Sequence, residues 1–229
     1  MRRLRDQGLT VFFLVIFLAA LAGQAIAGFN LYNEDQISHA KLLGQAPETI
    51  SFLRYLTSSH FAQATTENWQ SEYLQFALFM FATVWLVQRG STESKKPGEE
   101  GGETDEQQTV GRHARPDSPK WARVGGWRTR VYENSLLLVM TLIWLWSWFA
   151  QSVSGWSEFN VEQLDHKEAT VSWLGYITSS DFWFTTLQNW QSEFLAVGSF
   201  AAFTIYLRQR GSPESKPVGA AYTDTGVEG

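Results

Sequence analysis

The sequence predicts an all-α membrane protein with four transmembrane helices, arranged as two parallel tandem two-helix repeats with both termini in the cytoplasm. Two observations lead to this prediction: uncharged apolar runs that are long enough to cross a bilayer, and a block of sequence that occurs twice. The mean hydropathy of the chain, only -0.19, hides this pattern. Such a value arises when apolar runs are averaged with long polar segments.

Two runs without a charged residue are long enough to span a bilayer, residues 9–29 and 135–153. About 20 apolar residues, each rising 1.5 Å along a helix, cross roughly 30 Å of hydrocarbon. The first run also fits a secretory signal, because basic residues precede it and Ala25-Ile26-Ala27 resembles a cleavage site. A similar run in mid-chain cannot be a signal, and its presence favours two spans.

The block that occurs twice predicts two copies of one structural unit. The segment 55–61, Tyr-Leu-Thr-Ser-Ser-His-Phe, returns at 176–182 as Tyr-Ile-Thr-Ser-Ser-Asp-Phe. A Gln-Arg-Gly-Ser-x-Glu-Ser-Lys segment follows in both copies, at 88–95 and 209–216. Between these segments lies a repeat motif, which consists of Asn68, Trp69, Gln70, Ser71 and Glu72 in the first copy and of Asn189, Trp190, Gln191, Ser192 and Glu193 in the second.

The third and fourth spans are less apolar than the first two. Residues 73–87 and 194–207 provide only about 15 apolar positions each, which is short for a membrane span. Each run is preceded by Thr-Ser-Ser, a good helix N-cap, and followed by Arg-Gly. A helix from cap to Arg-Gly has about 30 residues and can span with polar turns to spare. Trp69 and Trp190 are then expected at the outer membrane boundary.

Four segments follow from this organisation. Residues 1–90 form the first two-helix membrane repeat, 91–125 a disordered cytoplasmic linker, 126–212 the second repeat and 213–229 a disordered cytoplasmic tail. The linker is rich in Gly, Glu, Lys and Pro, and such a composition cannot bury enough apolar surface to fold. Most Lys and Arg residues lie near the termini and the linker, so the positive-inside rule places these parts in the cytoplasm.

Composition excludes several kinds of site. The chain has no cysteine, which rules out disulfides, thiolate metal ligands and thiol nucleophiles. Its net charge of -5 argues against nucleic acid as a partner, because phosphate backbones are bound by basic surfaces. No phosphate-binding loop, nucleophile elbow or zinc-protease helix is present, so we expect no enzymatic activity.

Histidine and carboxylate residues in the outer loops form two pairs with a spacing of four residues. Side chains at this spacing meet on one face of a helix, and together they can bind a divalent metal. A glutamate of the repeat motif could add a third ligand to each site. The candidate metal ligands are Asp35, His39 and Glu72 in the first copy and Glu162, His166 and Glu193 in the second. The alternative for each pair is a local ion pair or hydrogen bond.

Two further patterns fall on the predicted spans. A polar stripe in each repeat predicts either a ligand or cation site that uses Glu72 and Glu193, or hydrogen bonds that join helices. Trp144 and Trp148 share one face of the run 135–153, where a pigment, quinone or lipid could stack or where the bundle simply packs. The stripe comprises Thr65, Asn68, Ser71, Glu72 and Gln75, and is repeated in Thr186, Asn189, Ser192 and Glu193.

Taken together, the motifs resemble a bacterial family of duplicated, four-span membrane proteins of unknown function. The resemblance rests on Tyr32-Asn33-Glu34-Asp35-Gln36 followed by His39, and on the two motifs that occur twice. It implies a multi-pass protein of the bacterial inner membrane. Because that family has no assigned activity, the resemblance assigns no catalytic or binding residue. The second copy has Val161 where the first has Glu34.

Two functions are expected from these observations. The first is a non-enzymatic integral membrane scaffold or accessory subunit, whose partners are the lipid bilayer and other membrane protein subunits. The alternative is a cation-binding or small-solute membrane protein that uses the outer carboxylates and histidines. No cofactor is predicted apart from the divalent metal at the candidate sites.

Overall fold

A computed structural model gives the structure of residues 6–227. Within this range the chain consists of helices and connecting segments without a β-strand, which confirms the all-α prediction for these residues. The helices, in chain order, are α1 Gly8–Leu43, α2 Phe52–Leu56, α3 Ser59–Trp85, α4 Lys120–Val124, α5 Gly126–Glu133, α6 Ser135–Asp165, α7 Trp173–Ile177 and α8 Ser180–Tyr206, with a 3-10 turn at Gly111–His113.

Helices α1 and α6 contain the two predicted apolar runs and are long and apolar enough to cross a membrane. Both continue past these runs, to total lengths of 36 and 31 residues. In their most apolar 18-residue windows only 6% and 17% of the residues are buried. An equally apolar helix in a water-soluble core would be mostly buried. The two helices therefore indicate association with a membrane.

Helices α3 and α8 begin at the Thr-Ser-Ser segments that the sequence predicts as caps. Ser58 Oγ accepts a hydrogen bond from the Phe61 N–H, and Ser179 Oγ accepts one from the Phe182 N–H, each at 3.2 Å. These bonds satisfy N–H groups that have no partner inside the helix. Both helices have 27 residues and end a few residues before the predicted Arg-Gly stop, because the next residues form turns of their own.

The chain divides into two compact units, each of which contains segments of both predicted repeats. The first unit runs to Thr65 and includes Gln151–Trp173, and the second comprises Thr66–Ala150 and the chain from Leu174 onward. The three limits of these units fall within helices α3, α6 and α7 and do not coincide with the boundaries predicted at residues 90, 125 and 212. The division into repeats, linker and tail stays a prediction.

In the first unit, an asparagine closes each of two loops. Asn33 Nδ2 donates to the Ile50 carbonyl at 3.2 Å, and Asn33 Oδ1 accepts from the Ile50 N–H at 2.9 Å. Asn160 makes the same two hydrogen bonds with Val171, at 3.1 and 2.8 Å. A side-chain amide that bonds both backbone groups of one residue fixes the loop in register. The two loops are therefore held in the same way.

In the second unit, the segments after α3 and α8 form turns with matching hydrogen bonds. The Gln88 N–H donates to Ser94 Oγ, and the Gln209 N–H donates to Ser215 Oγ, each at 2.8 Å. Serine hydroxyls that accept from nearby backbone N–H groups stabilise turns locally. The Gln-Arg-Gly-Ser-x-Glu-Ser-Lys segment therefore supplies its own hydrogen-bond partners in both turns.

The turn after α8 is held by a buried lysine, Lys216, which is only 1% exposed. Its burial, and secondarily the nearby Arg208, lower the pKa of Lys216, while the charge of Asp224 acts in the opposite direction. Because Gly90 belongs to the segment after α3, this lysine ties the two segments together. The Lys216 Nζ donates to the carbonyls of Gly90, Ala221, Tyr222 and Asp224 at 2.7, 3.2, 3.1 and 3.2 Å.

Candidate functional site

The second unit contains an interhelical polar layer between α3 and α8. Three hydrogen bonds define it. Asn189 Nδ2 donates to Glu67 Oε1 at 2.8 Å, and Trp190 Nε1 donates to Gln70 Oε1 at 2.7 Å. One turn further along, Gln75 Nε2 donates to the backbone carbonyl of Glu193 at 3.2 Å. The members of the layer are Glu67, Gln70, Gln75, Asn189, Trp190 and Glu193.

The predicted polar stripe provides only part of this layer. Its two serine hydroxyls are directed to their own helices: Ser71 Oγ donates to the Asn68 carbonyl at 2.9 Å and Ser192 Oγ donates to the Asn189 carbonyl at 2.8 Å. Such local bonds satisfy the serine without joining helices. The side chain that crosses to α8 at the centre of the layer is instead Gln70, which is fully buried.

Helix α6 places three polar side chains next to this layer. Trp144, Ser147 and Trp148 are spaced three and four residues apart and share one helix face. The rings of Trp144 and Trp148 stack on each other, with centroids 5.8 Å apart and planes 13° apart. The Trp148 ring also lies 5.7 Å from that of Trp190. Ser147, on the same helix face, is fully buried.

Five buried polar atoms in this region have no hydrogen-bond partner within the part of the chain that the structure describes. Three of them are N–H donors. A buried donor without an acceptor costs about 1–3 kcal/mol, and hydrocarbon offers it no acceptor. The region therefore offers N–H and O–H groups to the oxygen of a small molecule such as water. The five atoms are Gln70 Nε2, Trp144 Nε1, Ser147 Oγ, Trp148 Nε1 and Thr186 Oγ1.

The first unit has an aromatic cage around Tyr55, which is 1% exposed. The rings of Phe29, Tyr32, His60 and Phe61 all lie within 6.1 Å of the Tyr55 ring, measured between centroids. The Tyr55 hydroxyl is 3.3 Å from Nδ1 of His60. Burial raises the pKa of Tyr55 above its ordinary value, so the hydroxyl is neutral at physiological pH. The cage anchors the loop after α1.

One family model, described as a domain of unknown function (DUF6766), matches residues 1–227 of the chain. The chain belongs to the DUF6766 family. No curated protein and no solved structure is significantly similar to it. Because the family carries no assigned activity, membership assigns no role to the polar layer or to the Tyr55 cage.

The structure places the candidate metal ligands of this DUF6766 protein in both units. Glu72 is exposed and Glu193 is half-buried. Within residues 6–227, no group of three or more His, Asp or Glu side chains is arranged to hold a metal ion. A divalent metal site stays a prediction. The first unit holds Asp35, His39, Glu162 and His166, and the second holds Glu72 and Glu193.

Sequence reasoning did not single out four residues that organise this DUF6766 protein. Tyr176 is as deeply buried as Tyr55, and burial raises its pKa as well. Glu67 bonds across to α8, and Lys216 fastens the turn after that helix. Three of the four could have been identified by repetition in the sequence, since both tyrosines and the lysine belong to segments that occur twice. Glu67 lies outside these repeated segments, so repetition could not have identified it.

Proposed function

We propose that this protein is a non-enzymatic integral membrane scaffold or accessory subunit of a larger membrane assembly. The observation that carries the proposal is the surface of α1. Every large apolar side chain from Leu9 to Ile16 is exposed, by 36% to 75%. A run of this length passes round the helix more than twice, so α1 presents apolar surface on every side. Lipid tails and the spans of a partner protein are the surroundings that suit such a surface.

In this proposal the chain crosses the membrane four times, through α1, α3, α6 and α8, as two parallel tandem two-helix repeats. Helices α3 and α8, each of 27 residues, are about 40 Å long at 1.5 Å per residue, which exceeds the roughly 30 Å of hydrocarbon. The polar layer supports their insertion as a pair, because polar side chains within a membrane bond to one another inside the bundle. The matching loop and turn hydrogen bonds support the repeat.

We place both termini and the linker in the cytoplasm of a bacterial inner membrane. The support is the distribution of basic residues, which cluster on the cytoplasmic side of multi-pass proteins. In this orientation only three basic residues lie on the outer side of the membrane, namely Lys41, Arg54 and Lys167. Arg2, Arg3 and Arg5 also entered the prediction but lie outside the described residues. The basic residues of the cytoplasmic segments include Arg89, Lys95, Lys96, Arg112, Arg115, Lys120, Arg123, Arg128, Arg130, Arg208, Arg210 and Lys216.

The accessory-subunit proposal is tested by purification from the native membrane in mild detergent, with mass spectrometry of the accompanying proteins and elemental analysis of the same fraction. We expect a stoichiometric membrane partner and no bound metal. A lone protein with about two metal ions per chain, one per repeat, would overturn the proposal and favour cation binding by Glu72 and Glu193.

A variant of α1 sharpens the same experiment. Phe12 and Ile16 are four residues apart and lie on one helix face, where they are 58% and 49% exposed. The double substitution Phe12→Ala/Ile16→Ala keeps the span apolar but removes side chains that a partner helix would pack against. We expect the amount of co-purified partner to fall while the variant stays in the membrane. An unchanged amount would show that α1 is not the contact surface.

A further inference from the structure

We propose that α4 and α5 together form a surface that binds an anionic phospholipid bilayer. This basic helix pair, Lys120–Val124 and Gly126–Glu133, directly precedes α6, which begins at Ser135. The proposal rests on the membrane insertion of α6 proposed above. If α6 enters the bilayer at its first turn, the pair lies at the level of the lipid headgroups.

The two short helices are fixed to each other on one side. Thr129 Oγ1 donates a hydrogen bond to the Trp121 carbonyl at 2.6 Å. Thr129 and Ala122 are buried, at 6% and 8% exposure, and are the two buried residues of the pair. Gly125 joins the helices with a φ of 71°, a conformation that glycine adopts without steric cost. All other residues of the two helices are exposed.

Helix α5 presents an apolar stripe on the side opposite Thr129, and the Trp127 ring of this stripe lies 6.3 Å from the Trp121 ring of α4. Trp127 and Val131 are four residues apart and share one face, where they are 66% and 40% exposed. At 3.6 residues per turn, Thr129 falls on the opposite side of the helix, which is the side bonded to α4. On α4, Trp121 and Val124 are also exposed, at 44% and 55%. Tryptophan beside aliphatic residues is typical of segments that lie at a membrane interface.

Basic side chains border this apolar stripe. Arg128 and Arg130 lie on its two sides in the helical arrangement, and the Arg128 guanidinium is 5.6 Å from the centre of the Trp127 ring. Glu133 is the only acidic residue of the pair. Each Lys or Arg near an anionic membrane surface contributes about 1 kcal/mol, which is about fivefold in the ratio of bound to free segment. The basic residues of the pair are Lys120, Arg123, Arg128 and Arg130.

The positive charge and the apolar stripe of the basic helix pair together indicate that its binding partner is an anionic lipid surface. The apolar stripe inserts between headgroups, while the flanking guanidinium groups pair with lipid phosphates. A zwitterionic bilayer would satisfy the stripe but not the net positive charge. The interaction should therefore strengthen with anionic lipid content and weaken with salt, because the charges lie at the surface.

The absence of cysteine allows this inference to be tested in the full chain with single labels. Val124→Cys, labelled with an environment-sensitive fluorophore, is reconstituted into vesicles of phosphatidylcholine or of phosphatidylcholine with phosphatidylglycerol. We expect a blue-shifted emission and quenching by nitroxide lipids in the anionic vesicles at low salt, and loss of both in neutral vesicles or high salt. The same label at Gln107→Cys, an exposed linker position, should report water in every case.

Charge variants and an insertion control separate the outcomes. In the Val124→Cys background, Arg128→Gln/Arg130→Gln should lower the bound-to-free ratio about 25-fold, as two charges at about fivefold each. Arg112→Gln/Arg115→Gln removes two exposed charges outside the pair and should leave the ratio unchanged. The inference would be overturned if both variants lowered the bound-to-free ratio equally. It would also be overturned if the Val124→Cys label showed the emission of a water-exposed fluorophore in anionic vesicles.

The insertion control uses Val139→Cys on α6, where the native side chain is 51% exposed. Its label should be quenched by nitroxide lipids in both kinds of vesicle. If Val139→Cys reports lipid while Val124→Cys reports water, only the inference on the basic helix pair fails. If Val139→Cys itself reports water, the proposed membrane insertion fails and this inference fails with it.

Discussion

Gly28→Ala is expected to lower the unfolding temperature of the detergent-solubilised protein more than any other single methyl addition to α1. A Cβ at Gly28 would overlap the hydroxyl of Tyr55. Tyr55 cannot move aside readily, because the rings of Tyr32 and His60 and their neighbours enclose it. Overpacking of this kind costs about 1–3 kcal/mol. Thermal unfolding followed by tryptophan fluorescence measures the loss.

Gly23 provides the matched control on the same helix. Apart from its chain neighbours and the surrounding helix backbone, no heavy atom of residues 6–227 lies within 4 Å of a Cβ at Gly23. Gly23→Ala should therefore keep or raise the unfolding temperature through its better helix propensity. Tyr55→Phe removes the hydroxyl that the new methyl would meet, and it should restore part of the stability of Gly28→Ala. If the two glycine variants unfold at the same temperature, the close approach of α1 to Tyr55 is wrong.

Lys216→Met is expected to release the segment after α8 from the segment after α3. The substitution keeps a long side chain but removes the ammonium that donates to four carbonyls, including that of Gly90. Of these four, the Ala221 carbonyl keeps its hydrogen bond from the Asp224 N–H. Hydrogen bonds from a charged donor contribute about 1.5–3 kcal/mol each, so losing even one shifts the ratio of docked to released segment at least about tenfold. Limited proteolysis should then cut residues 212–227 correspondingly faster.

Lys120→Met serves as the control for this prediction, because Lys120 is exposed and belongs to α4, not to the segments after α3 and α8. It removes the same charge and should leave the rate of cleavage in residues 212–227 unchanged. The proteolysis is done in intact membranes or detergent with the full chain. Equal cleavage rates for the wild-type protein and Lys216→Met would show that the buried lysine does not fasten this segment.

Features of the fold that depend on local sequence were predictable. The apolar runs in α1 and α6 carry their own signal, since a span needs only length and the absence of charge. The starts of α3 and α8 were also predictable, because Ser58 and Ser179 cap their helices by bonding residues only three positions away. Such contacts are present in the sequence as short motifs and require no knowledge of tertiary structure.

Features that depend on packing were not predictable in the same way. The spacing of the polar stripe indicated a shared face on α3, but this stripe did not include Gln70. Gln70 is fully buried, whereas the matching Gln191 of α8 is exposed. Two identical motifs thus have different surroundings. One partner of Lys216, the Gly90 carbonyl, lies 126 residues away in the chain, whereas its other three partners lie within eight residues. Long-range hydrogen bonds of this kind leave no local pattern.

The most direct test of the four-span proposal is the accessibility of three single cysteines in spheroplasts, introduced at the exposed positions Thr49, Gln107 and Thr170. Four spans predict that a membrane-impermeant maleimide labels Thr49→Cys and Thr170→Cys in intact spheroplasts but labels Gln107→Cys only after permeabilisation. Spans at α1 and α6 alone would instead leave Thr49→Cys and Gln107→Cys accessible and Thr170→Cys protected. That second pattern would contradict the insertion of α3 and α8 and the parallel repeat built on it.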